Sequence, residues 1–462
     1  MHYHTRLAIA NPVFCWEVML TPYFQTMITA VSAVILQPVR SFPRNVRFYL
    51  LAGALVGFVY DGGVYSVLFN LYLLRLNYGP QLIGQINSAG MIAFAISALP
   101  AGALGQRFGS RRMIILGALV MLAGSLLLPV AEAFAGSGRL TCIYMAYLLL
   151  NMGMAPFFVN GAPFLVEAAE KSDRNNIFAL QSATLGIAAF VGSLSAGLLP
   201  KFFAWLLNST LSASTPYRYT LLIAAVALWP CLWAVRQTKQ PIAPAHSPSS
   251  KPILPPPQPE RRRIAFTLVQ LVIILTIIRL LIVASTAVRA TFFNIYLDAG
   301  LHISTAQIGN LMAVGRLTAV AAALCTPLLA KRFGNAPVAV VACICAALML
   351  LLPAFSTHPW VAALGYIGET AFTSIRWPAF VVYLMAVTPA KWRGTISGAG
   401  EMAAGLSFAL VGLIGGWLIE RRGYSSVFWL GTGMTLAGAL LFMLFLRTQQ
   451  TITAKTIPTE LL

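Results

Sequence analysis

Seven ionisable side chains sit inside long apolar stretches of this chain: Asp61, Arg279, Arg289, Arg316, Glu369, Arg376 and Glu401. A charge at the centre of a bilayer costs at least about 2.5–3.5 kcal/mol, so each needs a reason to be there. Such groups bind a substrate's charge, relay protons, or neutralise one another. Asp61 is followed by Gly62-Gly63, which loosens a helix locally, and Tyr65 lies one turn on. A carboxyl in an apolar surrounding that gains and loses a proton can couple proton movement to solute movement. Asp61 is therefore a candidate for substrate binding and for proton coupling; the alternative is an ion pair with an arginine of the seventh apolar stretch.

The tenth stretch carries a stripe. Glu369, Thr373, Arg376, Phe380 and Tyr383 recur at alternating four- and three-residue steps, on one helical face, with Trp377 beside it. An acid and a base two turns apart could hold a zwitterion or alternate on one substrate charge, with Glu369 as a second proton candidate. They could equally hold neighbouring helices together. Arg289 shares a face with Thr286 and Phe293, and Arg316 follows one stretch later. Arginine keeps its charge and binds carboxylate or phosphate in bidentate fashion, so the second half reads as prepared for an anionic group. Four arginines against three acids leave mutual neutralisation open as well. Glu401 enters its stretch by only a few residues, which suits a proton site, a gate or a snorkelling surface charge.

The elements that position these residues follow from composition. Hydrophobic residues make up 58% of the 462 residues and charged ones 9%. A soluble domain carries roughly a quarter charged residues, so most of this surface must face lipid. Twelve stretches reach the length of a spanning helix: about 48–74, 81–104, 113–131, 140–166, 177–199, 218–235, 264–297, 305–329, 337–355, 361–388, 396–419 and 426–446. The apolar runs are continuous rather than alternating, which favours helices over a β-barrel.

The program is written twice. Phe69-Asn70-Leu71-Tyr72-Leu73 returns as Phe293-Asn294-Ile295-Tyr296-Leu297, Ile83-Gly84 as Ile308-Gly309, and Arg107-Phe108-Gly109 as Arg332-Phe333-Gly334. On this register Arg289 answers to Tyr65 and Arg316 to Met91. The expected fold is all-α and integral to the membrane, twelve transmembrane helices in two pseudo-symmetric six-helix bundles. The expected divisions are an extension over 1–43, bundles over 44–235 and 264–447, a linker over 236–263 and a tail over 448–462. Duplication of this kind places a solute site between two moving halves.

Most of the 31 Lys and Arg fall in segments on one side of the twelve stretches, with Arg421 and Arg422 the main exception. By the positive-inside rule both termini lie in the cytoplasm. The net charge of +19 thus orients the protein against anionic lipid and does not point to nucleic acid. The linker holds eight prolines and Arg261-Arg262-Arg263, a semi-extended tether. Residues 1–43 are a poor signal peptide and are expected to be peripheral, or to precede the true start at Met19 or Met27. The six cysteines form no framework and none of the five histidines lies in a span. No phosphate-binding Gly-Lys-Ser/Thr loop and no His-Glu-x-x-His occur, so ATP-driven pumping and metal catalysis are not expected.

At the junction of the second and third stretches stands Gly102-Ala103-Leu104-Gly105-Gln106-Arg107-Phe108-Gly109-Ser110-Arg111-Arg112. It resembles the Gly-x-Leu-x-Asp-Arg-x-Gly-Arg-Lys loop of the major facilitator superfamily, and Leu329-Ala330-Lys331-Arg332-Phe333-Gly334 is its decayed second copy. The resemblance covers about Arg44 to Arg447. It implies that helices 1, 7 and 10 line a central cavity and that the loop, through Gly102, Gly105, Gln106, Arg107, Gly109 and Arg111, takes part in gating. The family's Asp is Gln106 here and its second-half equivalent is Lys331, so a charge lock gives way to hydrogen bonding or to a plain basic turn. Two elements of the family's drug antiporters are missing. The fourth stretch reads Asn151-Met152-Gly153-Met154-Ala155-Pro156 without arginine, and the fifth has Gly186, Gly192 and Gly197 before Pro200 rather than a Gly-Pro pair.

The expected function is proton-coupled secondary transport of a small organic solute by alternating access, leaning to an amphiphilic or anionic one. Asp61, Tyr65, Arg289, Arg316, Glu369, Thr373, Arg376 and Trp377 would bind it, and Asp61, Glu369 and Glu401 would handle protons. No enzyme activity, cofactor, metal or nucleic acid is expected; a monomer in a bacterial inner membrane is. A proton-driven multidrug antiporter and a non-transporting sensor or scaffold remain as alternatives.

Overall fold

A computed structural model describes residues 42–168, 174–239, 270, 272–388 and 393–456. Nearly all of 1–43, most of the 236–263 linker and the last residues of the tail lie outside these, and with them the readings made on those segments. Twelve helical rods follow one another: α1 Arg44–Arg75, α2 Pro80–Phe108, α3 Ser110–Ala133, α4 Gly136–Ala168, α5 Arg174–Leu206, α6 Thr215–Gln237, α7 Val272–Gly300, α8 Thr305–Phe333, α9 Asn335–Phe355, α10 Pro359–Val387, α11 Arg393–Arg422 and α12 Tyr424–Thr456. Among the described residues eleven are long and apolar enough to cross a membrane. The other, α10, spans 29 residues and carries Glu369 and Arg376 in its interior. No strand occurs among the described residues. The α12 helix runs past the expected end of the bundle into the tail.

The repeated sequence has a structural meaning at each motif. Gly109 and Gly334 close α2 and α8 with φ of 92° and 85°, a left-handed turn that other residues adopt only under strain. Gly84 and Gly309 are points where the backbones of the two halves approach closely. A Cβ on Gly84 would strike the Gly412 carbonyl of α11, and one on Gly309 would strike the Gly197 backbone of α5. Close backbone approach through small residues is how membrane helices pack without a hydrophobic driving force between them. Inside the first half, α3 and α4 use the same device at Gly117 and Gly153.

Large side chains such as Trp205, Trp229 and Leu440 are more than half exposed, as a lipid-facing surface requires. The bundle has two ends. One carries the α2–α3 and α8–α9 turns and the start of the 236–263 linker, and is here termed the linker end. The other carries the α1–α2, α7–α8 and α11–α12 turns.

Candidate functional site

The α1 helix is broken where Asp61-Gly62-Gly63 predicts weakness. Regular helix stops at Val59 and resumes at Val64, with Gly62 at φ 86°. The freed backbone groups are satisfied locally. Ser66 Oγ donates to the Tyr60 carbonyl at 2.6 Å and accepts from the Gly62 N–H at 3.0 Å, while Ser193 Oγ of α5 donates to the Gly62 carbonyl at 2.5 Å. Irregular backbone at membrane depth is tolerated only where it is buried in protein or lines a cavity, and in transporters it frames the solute site.

Asp61 stands in this break, half-buried, and among the described residues no cation lies within ion-pair distance of it. Arg316 of α8 crosses from the other half, its guanidinium occupying the space that a Cβ on Gly62 would fill. Among the described residues the Arg316 Nε is buried without a hydrogen-bond partner, and no carboxylate lies within ion-pair distance of the guanidinium. An arginine without its counter-charge thus faces the broken helix.

The remaining charges are more occupied. Arg289 Nε pairs with Glu369 Oε2, the latter fully buried, so the helix 7 arginine expected as a partner for Asp61 is taken by α10. Arg289 also lies over the Tyr366 ring at 5.5 Å. Arg376 donates to the Ile282 carbonyl and, at 3.1 Å, to Thr286 Oγ1; Thr286 in turn reaches Glu369 Oε1 at 3.5 Å. Thr373 turns back to the Glu369 carbonyl of its own helix. Arg279 lies 3.8 Å over the Trp377 ring and 3.7 Å from Glu401.

Tyr65 does not join this centre. Its hydroxyl donates to the Ser125 carbonyl of α3 at 3.2 Å and its ring packs on Tyr60 at 4.8 Å. The face shared by Asp61 and Tyr65 on a continuous helix is lost because the break intervenes. Of the loop residues, Gly105 lies under Asn160 of α4, and Arg111 ties the α2–α3 turn to the Thr238 and Arg236 carbonyls at 2.6 and 2.9 Å. Gly109 makes the turn, Gly102 is half-buried, and Gln106 and Arg107 are exposed.

A set of residues that the sequence reading did not single out seals the end away from the linker. Asn70 of α1 donates to the Thr291 carbonyl of α7 at 2.7 Å, and Asn294 of α7 returns the bond to the Val67 carbonyl of α1 at 2.9 Å. The two asparagines hold matching places in the duplicated motif, and that match was the available signal. Asn87 of α2 donates to Asn70 Oδ1 at 2.8 Å and accepts from Tyr147 of α4 at 3.2 Å. Arg75 grips Asp298 with two bonds of 2.7 and 2.6 Å, and Tyr217 meets Thr305 at 2.8 Å. Gln81 N–H donates to Glu420 across α2 and α11 at 3.0 Å.

The chain belongs to the Major Facilitator Superfamily, whose family model matches residues 50–297 and 275–461. Solved structures agree in fold. The nucleoside transporter NupG superposes with a TM-score of 0.68 at 15% identity, covering 86% of this chain and 99% of that one. A D-xylose-proton symporter gives 0.65 at 16%, covering 86% and 96%. The inward-open xylose transporter XylE from E. coli gives 0.66 at 15%, covering 86% and 95%. The chain is accordingly an integral multi-pass membrane transporter and not an enzyme. At these identities the likeness establishes the fold and nothing about the solute.

Proposed function

We propose that this protein is a proton-coupled secondary transporter of a small organic solute bearing an anionic group, working by alternating access. The observation that carries the proposal is Arg316, a cation without an ion-pair partner among the described residues, reaching across from the second half onto the broken α1 helix. A solute carboxylate or phosphate would complete that guanidinium's bonding. Asp61, one residue from the guanidinium's resting place, serves as the proton site: protonated, it ceases to repel an incoming anion. Arg289 and Glu369 hold the cavity wall by pairing with each other, and Arg376 positions α7 against α10.

The inter-half bonds described above cluster at one end, which supports a state closed there and entered from the linker end. With both termini in the cytoplasm this is an inward-facing state in a bacterial inner membrane, and a single chain contains the whole site. The experiment is thermal unfolding of the purified protein against organic anions, lipophilic cations and neutral metabolites, since a ligand of the folded state raises stability with occupancy. At least one organic anion should stabilise the wild type and lose that stabilisation in Arg316→Ala. Asp61 also stands without a cation partner, so stabilisation by lipophilic cations alone, lost in Asp61→Asn, would transfer the site to Asp61 and favour the efflux reading.

A further inference from the structure

A second polar pocket opens in the linker-end portion of the second half, between α7, α10 and α11. None of its lining residues belongs to the α1 break, and neither Arg316 nor Arg289 reaches it. Its polar wall is Arg279, 8% exposed, with Glu401 at 3.7 Å on one side and the Trp377 ring at 3.8 Å on the other. Its apolar wall is Phe380, Leu384 and Ile396, all buried. We infer that this pocket binds an amphiphilic organic monoanion, and that a proton taken up by Glu401 releases Arg279 to it.

Glu401 and an incoming anion compete for Arg279. Among the described residues Arg279 has a single, long ion pair, and Glu401 is 37% exposed, so water reaches the internal carboxylate and an incoming anion can replace it. While Glu401 is ionised it holds Arg279 and repels that anion. Once protonated it does neither, and proton and anion then enter the pocket together with no change in net charge. The other charges facing Glu401 favour this order. Arg376, adjacent to Trp377 on α10, adds a second positive charge near Arg279. Packed against this part of α11, α2 presents Ala95 and Leu99, neither charged. The α12 sequence holds no ionisable acid or base between Tyr424 and Arg447. The charges that line the pocket, Arg279 and Glu401, cancel while Glu401 is ionised and leave a net positive charge once it is protonated, which suits an anion rather than an amine. The Trp377 face and the apolar wall give the anion's hydrophobic body a surface to cover.

The test uses the purified full chain and a probe that stays ionised, phenylbutanesulfonate, with phenylbutylammonium as the charge-reversed control. Calorimetry should show the sulfonate binding more tightly as pH falls from about 8 to about 5, by up to about tenfold per pH unit if one proton accompanies each anion. Glu401→Gln should bind at about pH 8 at least as tightly as the wild type does at about pH 5, with the slope gone. Trp377→Ala should weaken binding at every pH and keep the slope, and Arg279→Gln should weaken it at least about tenfold. Binding and slope should persist in Arg316→Ala, which separates this pocket from the proposed solute centre. If Glu401→Gln keeps the wild-type slope, if binding vanishes in Arg316→Ala, or if the ammonium binds in preference, the inference is overturned. Should Arg279→Gln fail to fold, the Glu401 and Trp377 variants decide the matter alone.

Discussion

Replacing Asn70 and Asn294 together by alanine should open the end of the bundle away from the linker. Each asparagine donates one buried bond across the gap between α1 and α7, at 2.7 and 2.9 Å. A buried hydrogen bond contributes a net of about 0.5–1.5 kcal/mol, so the pair holds roughly 2 kcal/mol of closure. Asn87 loses its Asn70 acceptor in the variant but keeps the Ile83 carbonyl, so it adds little. About 2 kcal/mol corresponds to a shift of roughly thirtyfold in the ratio of closed to open forms. Spin labels at Ser137 and Arg422, exposed positions on opposite halves at this end, report the change as a longer distance population after the native cysteines are replaced. Each single variant should give part of the shift, because the two bonds are related by the duplication. An unchanged distance distribution in the double variant would refute the assignment of these bonds as the closure.

Further outcomes follow from the charges and the break. Glu369→Gln leaves Arg289 buried and unpaired, which costs about 3–5 kcal/mol, and its unfolding temperature in detergent should fall sharply. Replacing both partners by apolar residues, Arg289→Met with Glu369→Leu, should recover most of that loss. Asp298→Asn should cost less than Glu369→Gln in the same measurement, since Arg75 and Asp298 are 18% and 10% exposed and water takes up part of the freed charge. Gly62→Ala should destabilise twice over, through its φ of 86° and through the Arg316 guanidinium. Adding Arg316→Ala should relieve the clash and leave only the backbone cost of about 1–2 kcal/mol, read from unfolding temperature. Gly105→Ala should destabilise by driving a methyl into Asn160, and Asn160→Ala should relieve it in the same assay.

The fold was legible because apolar length and duplication are properties of the chain alone. Ile83-Gly84 and Ile308-Gly309 proved to mark two of the places where the halves meet, and Arg107-Phe108-Gly109 with its copy marks two left-handed turns. The break in α1 was legible for the same reason, since paired glycines weaken any helix. Partnerships were not. Whether Arg289 reaches Asp61 or Glu369 depends on the rotation of α7 against α1 and α10, which no periodicity within one helix fixes. Tyr65 illustrates the limit: its face was read from a continuous helix, and the break beside it turned the side chain toward α3. Asn70 and Asn294 went unread because an uncharged amide in an apolar run looks like a tolerated polar residue, although their matched places in the repeat would have set them apart.

Proton-linked anion transport through Arg316 is the step on which the proposed function depends. Proteoliposomes enclosing a pH-sensitive dye, challenged in turn with small organic anions, cations and neutral solutes, test it directly. At least one anion should carry protons inward with it, and Arg316→Ala, still folded, should abolish that movement. If only cationic or neutral solutes move protons, or if Arg316→Ala carries the anion as well as the wild type does, Arg316 is not the anion's anchor.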